Sequence, residues 1–266
     1  MILGTFFMAT FLFDQIIFGP VRSRRLGISL GVNLLPTDSK VCSFNCIYCE
    51  CGWTPQKREH KAVLPSRELV KQKMEEKLTD MIRNNERPDV ITFAGNGEPT
   101  LHPEFEGIID DTIEIRDRLT PDTKIAVLSN ATMLHKSGVV RALLKVEDNI
   151  QKLDSAFEET IRRIDCPAST FSLGKVVENL KLFNGKVIIQ TLFLRGNYKD
   201  KIIDNTTLEE LTEWLKLLAV IKPSQVMIYT IDRDTPVAGL EKVKLEELQK
   251  IADRVREIGF KVQVSG

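Results

Sequence analysis

The chain has 266 residues, of which 42% are hydrophobic and 28% charged, and its 37 basic and 37 acidic side chains give a formal net charge of zero. This composition is typical of a folded domain and excludes a mostly disordered chain. The charge balance argues against a protein that binds nucleic acid non-specifically through an overall basic field.

The apolar N-terminal stretch Met1–Phe13 is a poor signal peptide, because no Lys or Arg precedes it and no small-residue cleavage site follows. It is also too short to span a bilayer. We therefore expect a cytoplasmic protein with no membrane partner. Residues 1–17 would form an N-terminal extension, unless the natural start is Met8, and residues 18–266 would form one domain.

Short β-branched runs alternate with amphipathic helical stretches along the rest of the chain. The predicted strands are Ile28–Leu34, Val90–Ala94, Ile125–Leu128, Ile150–Leu153, Val187–Leu194, Gln225–Tyr229 and Phe260–Val264. The predicted helices are Arg67–Asn84, Glu104–Arg118, Gly138–Lys145, Phe157–Ile164, Leu173–Phe183, Leu208–Val220 and Leu245–Ile258. Near-continuous apolar strands indicate an α/β fold with a parallel sheet covered by helices. The repeating units number about six or seven, fewer than the eight of a closed barrel, so the pattern favours an incomplete barrel.

Four of the five cysteines lie between Cys42 and Cys51, and Cys166 stands apart. An odd, clustered set in a chain without a signal peptide indicates metal binding in a reducing compartment. Cys42, Cys46 and Cys49 have the spacing C-x3-C-x2-C. Three thiolates on one loop can hold three irons of a [4Fe–4S] cluster and leave the fourth iron open. Two alternatives remain at this point: a structural zinc site with Cys51 as fourth ligand, and a ferredoxin-like electron-transfer protein.

This cysteine spacing, with the aromatic residue Tyr48 just before the third cysteine, resembles the signature of the radical S-adenosylmethionine enzymes. The resemblance implies a partial (β/α)6 TIM barrel with parallel strands and a [4Fe–4S] cluster whose open iron binds S-adenosylmethionine. It also implies an oxidoreductase that cleaves this cofactor reductively to a 5′-deoxyadenosyl radical, which abstracts hydrogen from a substrate.

Several segments resemble, more narrowly, the Fe–S oxidoreductases related to wyosine biosynthesis, a group with bacterial members of unassigned activity. The segments are FGPVRSRRLGISLGV, GNGEPTLHP, KLDSAFEETIRRIDCP, IIQTLFLRG and IYTIDRDTP. The wyosine-type synthases that modify tRNA carry further N-terminal cysteines for a second cluster. Residues 1–41 contain no cysteine, and this departure disfavours the tRNA reaction.

Polar residues follow the predicted strands at the edge where sites form in parallel α/β folds. The resemblance assigns Gly97 and Glu98 to the ammonium group of S-adenosylmethionine and Asn130 to a further contact with the cofactor. Lys152 and Asp154 alternate along a strand and therefore share one face. They would bind a ribose or carboxylate of the cofactor, or form a salt bridge at the rim.

Gln190 is a further candidate for cofactor binding, and no catalytic residue is assigned. We expect Cys51 and Cys166 to be bystanders. Two groups of basic residues either form solvated faces or together bind a phosphate-bearing substrate. They are Arg22, Arg24 and Arg25, and Lys57, Arg58 and Lys61. The expected partners are a flavodoxin- or ferredoxin-like electron donor and an RNA, protein, peptide or metabolite substrate. The expected oligomeric state is a monomer.

Overall fold

A computed structural model describes residues 11–23, 25–55 and 62–266. Eight strands of the described chain form one sheet in the order β1-β2-β3-β4-β5-β6-β9-β11, curled into a half-barrel. Neighbouring strands from β2 to β11 run parallel, and β1 is antiparallel to β2. These strands are β1 (Ile17–Ser23), β2 (Gly27–Val32), β3 (Val90–Phe93), β4 (Lys124–Ser129), β5 (Asp148–Lys152), β6 (Ile188–Leu192), β9 (Gln225–Tyr229) and β11 (Val262–Ser265). The predicted partial TIM barrel is confirmed.

Helices connect the parallel strands and bury their apolar faces in the main core. They are α1 (Arg67–Arg83), α2 (Phe105–Leu119), α3 (Ser137–Leu143), α4 (Glu158–Ile164), α5 (Leu173–Lys181), α6 (Leu208–Ile221) and α7 (Leu245–Glu257). Met74 and Leu78 of α1 and Leu218 of α6 are fully buried in this core. The apolar periodicity of each segment explains this burial, and each predicted helix is confirmed with small shifts at its ends.

The predicted strand Val187–Leu194 is wrong at its C-terminal end, because the chain turns at Phe193. The Phe193 amide donates to the Tyr229 carbonyl (2.8 Å), and the Leu194 amide donates to Asn205 Oδ1 (2.9 Å). Leu194 begins a small antiparallel sheet in the order β10-β7-β8. Its strands are β7 (Leu194–Tyr198), β8 (Lys201–Asp204) and β10 (Glu241–Lys242).

The inner face of the half-barrel is apolar at one end and polar at the other. A cluster that includes Val90, Ala126, Ile150, Ile188 and Met227 fills the end where the parallel strands begin. Polar side chains occupy the same face toward the carboxyl ends of the strands. This division follows from the period of two along each strand and places chemically active groups at one rim.

The residues just before β1 pack onto this domain. Phe13 exchanges two hydrogen bonds of 2.9 Å between its backbone and the side-chain amide of Asn96. Met1–Thr10, with the candidate start Met8, lie outside the described residues, and the boundary at residue 18 stays a prediction. Within the described ranges, no helix is long and apolar enough to cross a membrane.

Candidate active site at the carboxyl ends of the strands

The cysteine loop follows β2 and is attached to the end of α4. The backbone amides of Asn45 and Ile47 donate to the carbonyls of Asp165 and Ile164, each at 2.9 Å. Ile47 is fully buried and anchors the loop in an apolar cluster. Cys42, Cys46, Cys49 and Cys51 are free thiols, so all of them are available as ligands.

A short parallel pairing between Val41 and Gly97 joins the cysteine loop to the loop after β3. The Val41 amide donates to the Asn96 carbonyl (2.8 Å), and the Glu98 amide donates to the Val41 carbonyl (3.0 Å). Gly97 has φ +136°, and a Cβ atom there would lie 1.9 Å from the Val41 carbonyl oxygen. Only glycine permits both this conformation and this close approach.

Glu98 joins the loops after β3 and β4. Its carboxylate is 2% exposed and accepts hydrogen bonds from the Asn130 amide (2.6 Å), the Thr100 amide (3.1 Å) and the Thr100 hydroxyl. Burial raises the pKa of Glu98 above its ordinary value. The Asn130 side-chain amide donates to Ser43 Oγ (2.9 Å) and lies 3.6 Å from Cys42 Sγ. Gly97, Glu98 and Asn130 therefore surround the first cysteine, whereas their contacts with a cofactor stay predictions.

Lys40 places a buried cation among the thiols, a feature that sequence reasoning missed. Its side chain is 2% exposed, and Nζ donates to the Gly52 carbonyl (2.8 Å) and hydrogen-bonds Cys49. Burial alone would lower the pKa of Lys40, but the neighbouring sulfurs of Cys49, Cys42 and Cys46 raise it overall. The ammonium group therefore stabilises negative charge on this loop.

The thiols differ in how easily they ionise. A hydrogen bond from the Cys51 thiol, together with the charge of Lys40, lowers the pKa of Cys49 to about 6. Burial raises the pKa of Cys42 to about 12 and that of Cys46 well above its ordinary value. Cys51 Sγ also lies 3.4 Å from the Gly95 carbonyl oxygen. Cys51 therefore contacts a predicted ligand directly.

No three His, Cys, Asp or Glu side chains within residues 11–23, 25–55 and 62–266 converge on the position of a single metal ion. A structural zinc ion needs its thiolate ligands around one common centre. An iron–sulfur cluster carries its cysteines on different irons, so the thiols can be more widely spaced. The zinc and cluster alternatives therefore differ in the arrangement of thiols that each requires.

Tyr48, Lys152, Asp154 and Asp165 form one cluster beside the cysteine loop. Lys152 Nζ lies 2.6 Å from Asp154 Oδ2 and 3.4 Å from Asp165 Oδ1. The Tyr48 hydroxyl contacts Lys152 Nζ and donates to Asp154 Oδ2 (2.5 Å). Lys152 ends β5 and Asp154 lies two residues beyond it, and the two side chains meet as the predicted alternation requires. Their role in binding a ribose or carboxylate stays a prediction.

Asp165 is the member of this cluster that the sequence did not single out. It ends α4 and directs its carboxylate back into the domain. Burial raises the pKa of Asp165 to about 8, although the ammonium of Lys152 opposes this shift. Burial alone would lower the pKa of Lys152, but Asp154 and Asp165 raise it well above its usual range. Asp165 lies in the segment KLDSAFEETIRRIDCP, which resembles the wyosine-related oxidoreductases. No other feature of the sequence indicated that Asp165 belongs to the site.

Gln190 lies on the inner face of β6 and contacts two further polar side chains. Its Nε2 donates to the Tyr229 hydroxyl (3.0 Å), and its Oε1 accepts from Arg25 (2.8 Å). Arg22 is exposed, and Arg24, Lys57, Arg58 and Lys61 lie outside the described residues. Within the described part of the predicted basic groups, only Arg25 reaches the barrel interior.

Two further residues lie at the margin of this arrangement. Cys166 is half-buried, and its thiol contacts the Arg163 carbonyl at 3.6 Å. Arg195 of β7 forms ion pairs with Asp204 of β8 (3.1 Å) and with Glu247 of α7.

Comparison with known proteins decides the family. Residues 37–204 match the family model described as the Radical SAM superfamily. The chain belongs to the radical SAM superfamily. It is 30% identical over 251 residues to a UPF0026 protein of Methanocaldococcus jannaschii, a match that covers 91% of this chain and 72% of that protein. It is also 32% identical over 238 residues to a Brachyspira hyodysenteriae protein named GTPase Obg, where the match covers 88% of this chain but only 32% of that protein.

Solved structures of radical SAM enzymes share this fold at low sequence identity. A radical SAM methyltransferase from Sphaerobacter thermophilus has a TM-score of 0.65 and 13% identity, over 89% of this chain and 65% of that one. Streptococcus suis SuiB bound to S-adenosylmethionine has a TM-score of 0.60 and 16% identity, over 86% and 49%. Archaeal TYW1 has a TM-score of 0.55 and 14% identity, over 86% and 71%. The predicted family is confirmed at the level of the superfamily, whose enzymes act through S-adenosylmethionine.

The close approach at Gly97 generates a prediction about assembly of the site. We expect Gly97→Ala to lower the free energy of unfolding by about 2–5 kcal/mol, since the methyl group adds a steric clash to backbone strain. The pairing with Val41 would open, and iron incorporation during reconstitution would fall. Urea unfolding and iron analysis measure the two effects.

Gly259→Ala is the matched control, because Gly259 has φ +91° and open space around the position of a Cβ atom. We expect a loss of only about 1–2 kcal/mol from backbone strain and normal iron content. Equal effects of the two substitutions would contradict a specific role for the Val41–Gly97 contact.

Proposed function

We propose that this protein is an oxidoreductase that uses a [4Fe–4S] cluster on Cys42, Cys46 and Cys49 to cleave S-adenosylmethionine. When bound, the cluster would supply one electron to the sulfonium of S-adenosylmethionine, whose carbon–sulfur bond would break to give methionine and a 5′-deoxyadenosyl radical. This radical would take a hydrogen atom from the substrate and leave as 5′-deoxyadenosine. The attachment of the three-thiol loop to Gly97 and Glu98 is the observation that carries this proposal.

The donor set of the loop fits such a cluster. Three free thiols follow one strand at the spacing that the cluster requires, without converging on a single-ion site among the described residues. The ammonium group of Lys40 offsets the negative charge that thiolates bring into a buried loop. A ferredoxin-like protein would give the fourth iron a cysteine, and the position of Cys51 beside Cys49 makes this alternative testable.

The residues around the loop would bind and orient S-adenosylmethionine. Glu98 offers a buried carboxylate, a suitable charge-assisted acceptor for an ammonium group. The amide of Asn130 fixes the neighbouring loop against Ser43 and Cys42. Lys152, at the end of β5, is paired with Asp154 and Asp165, so this group can present polar atoms to a ribose without leaving the ammonium unpaired.

One electron must come from another protein, and we propose a flavodoxin- or ferredoxin-like donor in the reducing environment of the cytoplasm. The substrate is an RNA nucleotide, a protein or peptide, or a small metabolite. The similarity to archaeal TYW1 concerns the fold alone. Wyosine-type modification of tRNA is an alternative reaction within this proposal.

The proposal is tested by incubating anaerobically reconstituted protein with dithionite and S-adenosylmethionine and measuring 5′-deoxyadenosine by liquid chromatography. We expect 5′-deoxyadenosine from the unaltered protein and none from Cys46→Ala, because loss of one ligand prevents cluster assembly. Deuterium transfer from labelled pools of tRNA, peptides or metabolites into 5′-deoxyadenosine would then identify the substrate class.

Cys51→Ala is the matched control, since it removes a neighbouring thiol that the proposal does not use as a ligand. This variant should retain the iron content and the product. A colourless protein with one zinc ion, or loss of the cluster in Cys51→Ala but not in Cys46→Ala, would refute the assignment.

The buried ammonium of Lys40 leads to a prediction about the reduction potential of the cluster. Lys40→Met removes a positive charge and a hydrogen bond beside the sulfurs, so reduction would add an electron to a more negative environment. We expect the midpoint potential to become more negative, measured by a spectroscopic redox titration.

Two further variants isolate the effect of charge. Lys40→Arg keeps the positive charge and should restore most of the potential. Lys250→Met removes an exposed lysine on α7 and should leave the potential unchanged. An unchanged potential in Lys40→Met would show that the ammonium does not act on the cluster.

A further inference from the structure

Arg25 connects the two edges of the half-barrel. It lies in the turn between β1 and β2, and its backbone carbonyl accepts a hydrogen bond from Gln263 Nε2 of β11 (3.0 Å). Its side chain extends across the interior to β6 and β9. A cation from one edge of the sheet therefore faces strands near the opposite edge.

The contacts of the Arg25 guanidinium are all with neutral groups. Gln190 Oε1 accepts one hydrogen bond at 2.8 Å, and the ring centroid of Tyr229 lies 4.5 Å from the guanidinium carbon. Gln190 is itself held by the Tyr229 hydroxyl at 3.0 Å. Burial raises the pKa of Tyr229 above its ordinary value, so the phenol stays neutral. Across the described ranges, no carboxylate forms an ion pair with Arg25, and most of its N–H donors lack a protein acceptor.

The other interior cation is different, because Lys152 is paired with Asp154 and Asp165. Lys152 and Gln190 are register partners on adjacent strands, so the two cations face the same interior. The positive charge of Lys152 is offset there, whereas that of Arg25 is not. Removing part of a guanidinium from water without a counter-ion costs free energy, and an anion bound beside it would offset that cost.

The guanidinium is separate from the cavity at the amino ends of the strands. That cavity, of about 500 Å³, borders Arg25 and Gln263 but neither Gln190 nor Tyr229, and Asp89, Asp122 and Asp148 line it. An anion beside the guanidinium would therefore lie on the polar side of the interior, which Lys152 also faces. Arg25 contacts β6 and β9, whereas Glu98 and Asn130 follow β3 and β4. Strand β5 lies between these two pairs of strands. The guanidinium is thus placed away from the residues that would receive the ammonium group of S-adenosylmethionine.

We infer that Arg25, Gln190 and Tyr229 form a binding site for an oxyanion, a carboxylate or phosphate group, of the substrate. Arg25 would supply charge and paired N–H donors, which match the geometry of both groups. Gln190 orients the guanidinium, and the Tyr229 ring supports it from one side. That the bound molecule is the substrate of radical chemistry rests on the function proposed above, whereas the anion site itself does not.

Isothermal titration of the reconstituted protein with inorganic phosphate and, separately, malonate at low ionic strength tests this site. We expect saturable binding of at least one probe, and the tighter probe indicates whether the natural group is a phosphate or a carboxylate. Arg25→Met should weaken binding about ten-fold to a hundred-fold, as expected for loss of hydrogen bonds to a charged group. Arg22→Met removes an exposed arginine from the same hairpin and should bind as the unaltered protein does.

Gln190→Glu provides a second test that preserves side-chain shape. The new carboxylate would pair with Arg25 inside the protein and should reduce anion binding by a similar factor, even if Arg25→Met does not fold. Absence of binding of both probes to the unaltered protein, or binding by Arg25→Met and Gln190→Glu as tight as that of the unaltered protein, would overturn the inference. If the protein binds the anion but forms no 5′-deoxyadenosine, the anion site is retained and the proposed function is refuted. If it forms 5′-deoxyadenosine but binds neither anion, the proposed function is retained and the anion site is refuted.

Discussion

The pairing of Val41 with Gly97 is the contact on which the arrangement of the site depends. It places Val41, the residue before Cys42, against the loop that carries Glu98. Two loops that are far apart in sequence are therefore joined by backbone hydrogen bonds. The contact requires a residue without a side chain at Gly97. Cys42, Glu98 and Asn130 come together because this approach is possible.

Charge is distributed across the rim in three separate groups, and each has its own means of compensation. Lys40 faces the thiols and stabilises their ionised forms. Lys152, at the end of β5, is balanced by Asp154 just beyond that strand and by Asp165 at the end of α4. Arg25, on the far side, is held by neutral partners. Such an arrangement would allow the proposed cluster, cofactor and substrate to share one interior without a continuous region of like charge.

The sequence predicts the architecture well because the parallel strands and their helices have strong local periodicity. It also predicts that Lys152 and Asp154 share a face, since this follows from alternation along a single strand. The turn at Phe193 was not predictable, because it depends on a hydrogen bond that the Leu194 amide donates to Asn205, a residue that follows β8. The roles of Lys40 and Asp165 were missed for a similar reason, since each depends on partners from other segments of the chain. Arg25 was named only within a basic group, and its contacts with Gln190 and Tyr229 could not be predicted.

The central claim is that three thiols hold a cluster whose fourth iron remains open to S-adenosylmethionine. Its most direct test is the electron paramagnetic resonance spectrum of the reduced, reconstituted protein before and after S-adenosylmethionine is added. If the claim is correct, the signal shifts on addition in both the unaltered protein and Cys51→Ala, because the cofactor changes the coordination of one iron. A signal that does not respond, or that responds only when Cys51 is removed, would contradict it.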